Sequence, residues 1–256
     1  MHTPASAARS TPLLFVHGMW HGAWCWEENF LPYFAKHGYH SCALSLRGHG
    51  ASEGRKRLRW TSIDEYVADI DQVVCNMEKP PVLIGHSMGG MITQKYLESR
   101  RVPAAVLLAP VPPWGMFTVA LRYARHHPML FLRANLTMSV YPLVATVKLC
   151  RELLFSPDLP EPVANADSRK MQEESFRAAL ELIFFTRVRI GAIGTRMLVL
   201  GGERDRLITT DEIRNTARLY GADAEILPGM AHDVMLDSGW QGAADRILGW
   251  LEKEGF

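Results

Sequence analysis

The stretch that decides the fold is PVLIGHSMGGMITQKYLESR, residues 81–100. It contains Gly85-His86-Ser87-Met88-Gly89, a G-x-S-x-G motif, between an apolar run of strand length and a helical pattern of apolar residues. A serine on so sharp a strand-to-helix turn needs neighbours without side chains, so that backbone segments can pass close together. Gly85, Gly89 and Gly90 meet that need. The stretch therefore predicts a buried strand, a tight turn at Ser87 and a helix.

Ser87 on this turn is a candidate nucleophile, and a serine hydroxyl needs a general base that is itself oriented by a carboxylate. In a strand–elbow–helix arrangement of this kind the chain order is Ser, Asp, His. Asp205 follows the apolar run MLVLGG, with Glu203 as its competitor. His232 is the only one of the ten histidines that follows Asp205, which leaves His86 the weaker rival. The sequence predicts Ser87, Asp205 and His232 as the catalytic residues.

Two backbone amides are candidates for an oxyanion hole. The first N–H groups of the helix after Ser87 have no partner within the helix, so the amide of Met88 is one donor. The segment His17-Gly18-Met19-Trp20 follows the first strand-like run, and we assign the second donor to Met19, with Trp20 as the alternative.

His17 is interpreted as structural. His17 and His21 lack the glutamate and the helix of a zinc motif, so no metal site is expected.

Apolar runs of strand length alternate with helical patterns along most of the chain. The runs lie at 13–16, 40–46, 81–85, 104–109, 197–201 and 224–227, and their continuous apolar character predicts strands buried on both faces. The clearest helical pattern covers Asp64–Met77, with Ser62 and Glu65 as a capping box. The alternation predicts an α/β fold with a doubly wound, mostly parallel sheet of about six strands. Active groups of such sheets collect at the carboxyl ends of the strands.

The alternation stops between residues 113 and 186. This stretch carries helical patterns at 118–136, 144–155 and 168–185, and prolines at 112, 113 and in SPDLPEP (156–162) punctuate them. We expect residues 1–112 and 187–256 to form the core and residues 113–186 to form an inserted helical cap. In the first half of this stretch, basic residues outnumber the single acid Glu152. We interpret these basic residues as parts of solvated helix faces, and binding of an anionic headgroup or a membrane surface is the alternative interpretation.

Length and composition narrow the class of protein. The 256 residues suit one large domain, and 28 basic against 27 acidic residues give no basis for nucleic-acid binding. The segment MHTPASAARSTP lacks the apolar core of a signal peptide, and no run is long enough for a membrane span, so we expect a cytoplasmic protein without stable membrane insertion. The four scattered cysteines are expected to be reduced.

Five motifs together resemble the α/β-hydrolase superfamily over nearly the whole chain: HGMW (17–20), LRGHGASEG (46–54), GHSMGG (85–90), GGERD (201–205) and GMAHD (229–233). HGAWCW (21–26) is similar to the plant methylesterase and hydroxynitrile lyase group, whereas RGHGASEG (47–54) is similar to monoacylglycerol lipases and esterases. The resemblance implies that no cofactor or metal is needed. Only 12 residues precede LLFV, so it also implies that the usual antiparallel edge strands are missing.

The expected activity is that of a serine hydrolase acting on a small carboxylic ester with a hydrophobic acyl or alkyl group, through an acyl-enzyme. A thioesterase, a carbon–carbon bond hydrolase and a hydroxynitrile-lyase-like enzyme use the same residues and stay open as alternatives. From another class, a ligand receptor of the same fold with little turnover is a further alternative. The sequence does not determine the oligomeric state, and a homodimer is one of the possible states.

Overall fold

A computed structural model describes residues 1, 3 and 9–256 of the chain. Residues 2 and 4–8, in the segment for which no signal peptide is expected, lie outside the described part. The strands are β1 (Leu13–Val16), β2 (Ser41–Leu44), β3 (Val82–His86), β4 (Ala104–Leu108), β5 (Arg196–Gly202) and β6 (Asp223–Leu227). The α-helices are α1 (Trp24–Glu27), α2 (Phe30–Lys36), α3 (Ile63–Cys75), α4 (Met88–Leu97), α5 (Phe117–His126), α6 (Pro128–Thr137), α7 (Val147–Leu153), α8 (Glu161–Ser168), α9 (Phe176–Leu180), α10 (Thr210–Tyr220) and α11 (Trp240–Lys253).

Four shorter helical segments complete the elements. Three are 3₁₀ turns, at Arg55–Trp60, Tyr141–Leu143 and Ile190–Ala192, and the fourth is a π turn at Glu181–Phe185 that continues α9. The predicted helix over Asp64–Met77 is α3, and its capping box is present, with Ser62 Oγ accepting from Glu65 N and Glu65 accepting from Ser62 N.

The six strands form one sheet in the order β2-β1-β3-β4-β5-β6, and every pairing in it is parallel. This confirms the predicted fold class. The carboxyl ends are in register, because Val16 pairs with Gly85, His86 with Leu108, Leu108 with Leu200 and Gly202 with Leu227. The loops that follow these strands therefore meet at one edge of the sheet.

The strand order also places the helices on two faces. The chain moves from β1 to β2 in one direction along the sheet, and it then moves in the opposite direction from β2 to β3 and onward to β6. Because crossovers between parallel strands are right-handed, α2 lies on one face of the sheet and α3 and α4 lie on the other. The contacts agree, since α2 packs on α11 and α3 packs on α4. Phe15 of β1 is buried against Trp26, Phe30 and Phe34 on the α2 face, with ring centroids 5.1–6.2 Å apart.

Residues 113–186 are helical, with two differences from the sequence patterns. The pattern at 118–136 is divided into α5 and α6, because Pro128 lacks an N–H and starts a new helix at its first position. After Ser168, which ends α8, the pattern at 168–185 becomes helical again only from Phe176, where Ser175 accepts from Ala178 N and caps α9. Within the proline-rich stretch, α8 begins at Glu161, because proline is tolerated in a first turn. Whether residues 113–186 form a separate cap stays a prediction.

The buried carboxylate of Glu174, within the helical stretch, contacts two residues of the core. Glu174 is 1% exposed and accepts from Tyr66 Oη at 2.6 Å, while its other oxygen lies 3.1 Å from His49 Nε2. Burial alone would lower the pKa of His49, but the charge and the hydrogen bond of Glu174 outweigh it and raise the pKa above its ordinary value. The contact joins the RGHGASEG loop of the core to the segment before α9.

All four cysteines lie in the described part of the chain and are unpaired, and Cys25 and Cys150 are buried. Within that same part, none of the helices combines the length and the apolar character that a membrane crossing requires.

Candidate active site

Ser87 stands between β3 and α4 with φ 53° and ψ −116°, a strained conformation for a residue other than glycine. Glycines make the turn sterically feasible. A Cβ on Gly85 would lie 2.6 Å from the oxygen of Gly89, and one on Gly89 would lie 2.4 Å from the oxygen of Val16. The backbone of Ser87 is held by Leu108, which accepts from its N–H at 3.0 Å. The turn predicted from the G-x-S-x-G motif is present in the structure.

Gly89→Ala is expected to lower the free energy of unfolding by about 2–3 kcal/mol, because the new methyl group meets backbone atoms that cannot move aside without shifting β1. Urea denaturation followed by circular dichroism measures the change. The matched control is Gly249→Ala in α11, where a Cβ has no neighbour within 4 Å. That change should stabilise the helix by about 0.5–1 kcal/mol. Equal effects of the two substitutions would contradict the close packing described at Gly89.

The structure brings Ser87, His232 and Asp205 together in one hydrogen-bonded chain. Ser87 Oγ lies 2.9 Å from His232 Nε2, and His232 Nδ1 lies 2.7 Å from Asp205 Oδ2. The other oxygen of Asp205 accepts from the amides of Leu207 and Ile208 at 2.8 and 2.9 Å. Because a carboxylate only accepts, Nδ1 of His232 carries the proton and Nε2 is free to accept from the serine. The arrangement can move a proton from Ser87 to His232.

Burial and charge set the electrostatics of this chain of contacts. Ser87, Asp205 and His232 are 8%, 9% and 2% exposed. Burial alone would lower the pKa of His232, but the charge of Asp205 and its hydrogen bond outweigh it, so the pKa is raised above the ordinary histidine value. An imidazolium formed at His232 would be stabilised in the same way.

Glu203, the competing acid, takes a different position. Its side chain is bonded to the amide of Gly229 at 2.9 Å, and the residue is exposed. Asp205, two residues later, is turned inward because the amides of Glu203 and Arg204 pair with the oxygens of Leu227 and Met230. The pairing places Asp205 beside the loop that carries His232.

The two proposed oxyanion donors belong to segments that adjoin Ser87. Met88 is the first residue of α4, so its N–H has no partner within the helix. The 17–20 loop approaches from β1, and a Cβ on Gly18 would lie 2.9 Å from Ser87 Cβ. Among the described residues, neither Met19 N nor Trp20 N donates a backbone hydrogen bond, so both amides remain candidates for the second donor. Their roles stay predictions.

His17 and His86 are fully buried, and their rings hydrogen-bond to backbone groups. His17 Nε2 accepts from Leu46 N at 3.1 Å and Nδ1 donates to Gly18 O at 2.8 Å, while burial and then the nearby His49 keep its pKa well below the ordinary value. His86 Nε2 donates to the His232 oxygen at 3.0 Å, and burial followed by the charge of His232 lowers the pKa of His86 to about 3. Both contacts fit the structural interpretation of His17 and the lower rank given to His86.

A second histidine–aspartate pair, which no sequence motif predicted, lies next to the residues that flank His232 and Met19. His21 Nε2 is 3.0 Å from Asp233 Oδ2, and His21 Nδ1 is 2.6 Å from the oxygen of Met19. Asp233 is fully buried and its backbone N–H donates to Leu154 O at 2.9 Å. The pair thus ties the loop of Met19 to the loop of His232. The signal was present in the sequence, since an acid directly follows the candidate base.

Among the described residues, His86, His232 and Asp233 form the one group of side chains that could hold a metal ion, with ligand atoms within 4.8 Å of one another. Hydrogen bonds already occupy several of these ligand atoms, whereas His86 Nδ1 and Asp233 Oδ1 are buried without a partner. His232 uses both ring nitrogens for Ser87 and Asp205, and His86 Nε2 donates to a carbonyl. That neither metal nor cofactor is needed stays a prediction.

A cavity of about 240 Å³ opens beside Ser87. Its walls come from the 17–20 loop, from α5, α6 and α9, and from the π turn, and within the described part of the chain they include no charged side chain. Typical wall residues are Met19, Met116, Phe131, Leu143, Phe176 and Ile183. A neighbouring cavity of about 500 Å³ shares Val119, Tyr123, Leu153 and Leu207 and carries the charged groups of Arg122, Asp205 and Arg206.

Comparison with known proteins agrees with this fold. Residues 13–246 match the family described as "Alpha/beta hydrolase family". The chain therefore belongs to the alpha/beta hydrolase family, and the resemblance seen in the sequence motifs is confirmed.

Individual relatives match only a part of the chain. This chain is 36% identical over 106 residues to a non-heme chloroperoxidase of Streptomyces lividans, and the matched segment covers 40% of this chain and 37% of the relative. It is 32% identical over 113 residues to esterase PIR7B of Oryza sativa subsp. japonica, covering 42% of this chain and 41% of the relative. Both matches span less than half of the relative's length. The thermophilic esterase of Thermogutta terrifontis superimposes with a TM-score of 0.74 at 18% identity, covering 98% of this chain and 92% of that structure, which supports the fold alone.

Proposed function

We propose that the protein is a serine hydrolase that cleaves a carboxylic ester with a hydrophobic acyl or alkyl group through an acyl-enzyme. One observation carries the proposal. The hydrogen-bonded chain Ser87–His232–Asp205, with contacts of 2.9 and 2.7 Å, ends at a cavity whose described lining has no charged side chain. A nucleophile, its base and an apolar binding space thus meet at one point.

In the proposed reaction, Ser87 Oγ attacks the ester carbonyl while His232 Nε2 takes its proton. The carbonyl oxygen becomes an oxyanion that accepts from the amides of Met88 and Met19. The tetrahedral intermediate collapses, the C–O bond to the alcohol breaks, and His232 returns the proton to the leaving alkoxide. Water, deprotonated by His232, then attacks the acyl-enzyme carbonyl. The bond between the acyl carbon and Ser87 Oγ breaks, His232 returns the proton to Ser87 Oγ, and the carboxylic acid is released. Asp205 keeps the proton of His232 on Nδ1 and stabilises the imidazolium during both acylation and deacylation.

The family supports hydrolysis more broadly than it supports this substrate. Relatives described as esterases occur at modest identity, such as the rice esterase and the methyl jasmonate esterase of Vitis vinifera. Serine at position 87 supports acyl transfer, because relatives that open epoxides or remove halides use a carboxylate as nucleophile. A cytoplasmic location and a small hydrophobic substrate remain part of the proposal.

A panel of synthetic substrates tests it. We expect kcat/KM for p-nitrophenyl butyrate to exceed that for the mono-p-nitrophenyl ester of succinic acid by at least about 100-fold, because a carboxylate in an uncharged cavity loses its hydration without a partner. The same panel contains a butyryl thioester, a 1,3-diketone and mandelonitrile, which represent the three alternative activities.

The outcomes separate the candidates. Fastest turnover of the butyrate ester supports the proposal, whereas faster turnover of the thioester, the diketone or the nitrile would replace it by that activity. Equal rates for butyrate and succinate would contradict the assignment of the cavity as the acyl site. Negligible turnover throughout, with a ligand-induced rise in melting temperature, would favour the receptor alternative.

A further inference from the structure

Exposed apolar side chains are concentrated on one part of the helical stretch. Of the twelve large apolar side chains that are exposed in the described part of the chain, eight lie at 117–138 and 184–185. They are Phe117, Leu121, Met129, Leu132, Leu136, Met138, Phe184 and Phe185. Soluble surfaces seldom gather so many apolar groups without a partner.

Helix α6 is apolar on two opposite sides. Phe131 and Ala134 face inward and line the cavity beside Ser87. Met129, Leu132 and Leu136 are three and seven residues apart, so they form a stripe on the other side, and they are 74%, 49% and 75% exposed. The inner side already packs the helix onto the protein. The outer stripe therefore has no role in holding the fold.

Helix α5 and the π turn continue this surface. Phe117 and Leu121 are one helical turn apart, and the ring of Phe117 lies 6.2 Å from that of Phe184. Phe184 lines the cavity and is 53% exposed, so it stands where the cavity meets the surface. Asn135 of α6 likewise lines the cavity and is exposed to solvent. The exposed apolar groups thus border the opening above Ser87.

The charged side chains carried by α5 and α6 themselves are all basic. Between Glu98 and Glu152 the sequence contains no aspartate or glutamate. Arg125 and Arg133 are exposed, and neither has a carboxylate partner among the described residues. Of the acids beside these helices, Glu152 lies 3.3 Å from His127 and Glu212 lies 3.1 Å from Arg122. Exposed Glu173 accepts from Ser139 Oγ at 2.8 Å just beyond α6, and Asp64 and Glu181 border Phe185 at the far end of the surface. A stripe of apolar groups flanked by unpaired cations is complementary to anionic headgroups above acyl chains.

We propose that α5, α6 and the Phe184–Phe185 pair form a docking surface for an anionic phospholipid bilayer, with the opening of the cavity turned toward the lipid. A second copy of the chain fits this surface less well. In a twofold interface the same patch meets itself, so the unpaired arginines of both copies would enter one interface. The docking is peripheral, because it needs no helix that crosses the membrane, and it goes beyond ester hydrolysis, since vesicle binding requires no turnover.

Vesicle flotation tests the docking directly. Wild-type protein is expected to float with vesicles of phosphatidylcholine and phosphatidylglycerol, to bind phosphatidylcholine alone much more weakly, and to be released by high salt. Arg125→Glu with Arg133→Glu should lower the partition coefficient by at least about 25-fold, taking about fivefold per arginine lost. Met129→Ser with Leu136→Ser should lower it by at least about tenfold, since both side chains leave the acyl boundary.

The control is Leu219→Ser on α10, where an equally apolar side chain is 47% exposed but lies outside the docking surface. It should float like the wild type, and melting temperatures verify that each variant is folded. The proposal would be overturned by wild-type protein that stays unbound to both vesicles, or by surface variants that float as well as the control. A dimer in sedimentation that Met129→Ser with Leu136→Ser dissociates would instead assign the surface to a second copy.

Discussion

Replacing Ser87 with alanine is expected to lower kcat/KM for p-nitrophenyl butyrate by on the order of 10⁵-fold, because the oxygen that forms the acyl bond is removed while the rest of the site stays in place. The residual rate comes from the oxyanion donors and the binding cavity alone. Little change in stability is expected, since the backbone bonds of Ser87 to Leu108, Met91 and Val111 do not involve its side chain. Steady-state kinetics and a thermal melt measure the two quantities.

Ser99→Ala is the matched control, because Ser99 is exposed just beyond α4. It should keep wild-type activity within about twofold. A Ser87→Ala variant that retains more than a few per cent of the activity, in protein free of wild-type contamination, would contradict the assignment of the nucleophile. So would equal losses in the two variants.

Asp205→Asn is expected to lower kcat by on the order of 10⁴-fold, which is the size of effect that a reversed histidine tautomer produces. The new amide can still accept from Leu207 and Ile208, but its NH₂ group would donate to His232 Nδ1. The proton of His232 would then sit on Nε2, where it blocks transfer from Ser87. Glu203→Gln is the matched control and should cost less than about fivefold. A larger loss in Glu203→Gln than in Asp205→Asn would reverse the assignment of the acid.

The pH dependence of kcat/KM gives a second measure of the same pair. Only neutral His232 can accept a proton, so activity falls as the pH drops through the pKa of His232. Because Asp205 raises that pKa, the acid limb of the wild-type profile should lie above the ordinary histidine range. In Asp205→Asn the attraction is lost while burial remains, so the residual activity should persist to lower pH. A wild-type acid limb that the substitution leaves in place would contradict this role of His232.

The sheet and the hydrogen-bonded chain could be predicted because local sequence and topology agree. Apolar runs of strand length separated by helices permit few sheet orders, and a parallel sheet brings its carboxyl ends to one edge. Ser87, Asp205 and His232 each follow a strand-like run, so their convergence needed only the chain order. The strands observed differ from the predicted runs by no more than two residues at any end.

Other features depend on packing that the sequence pattern does not encode. The pairing of His21 with Asp233 joins residues 212 positions apart, and that of His49 with Glu174 joins residues 125 apart. Neither pair belongs to a local motif. The outer stripe of α6 was also hidden, because a helix that is apolar on both sides gives the same sequence pattern as one buried in a core. Only its exposure in the folded chain shows that one side is unpartnered.

The most direct measurement is the site of modification by a fluorophosphonate, determined by tandem mass spectrometry of the labelled protein after proteolysis. Fluorophosphonates phosphonylate a serine only where a base activates it, so the label reports an activated nucleophile without any knowledge of the substrate. We predict one adduct per chain, on Ser87, with labelling strongly slowed in Asp205→Asn. An adduct on another residue, or folded protein that takes up no label, would contradict it.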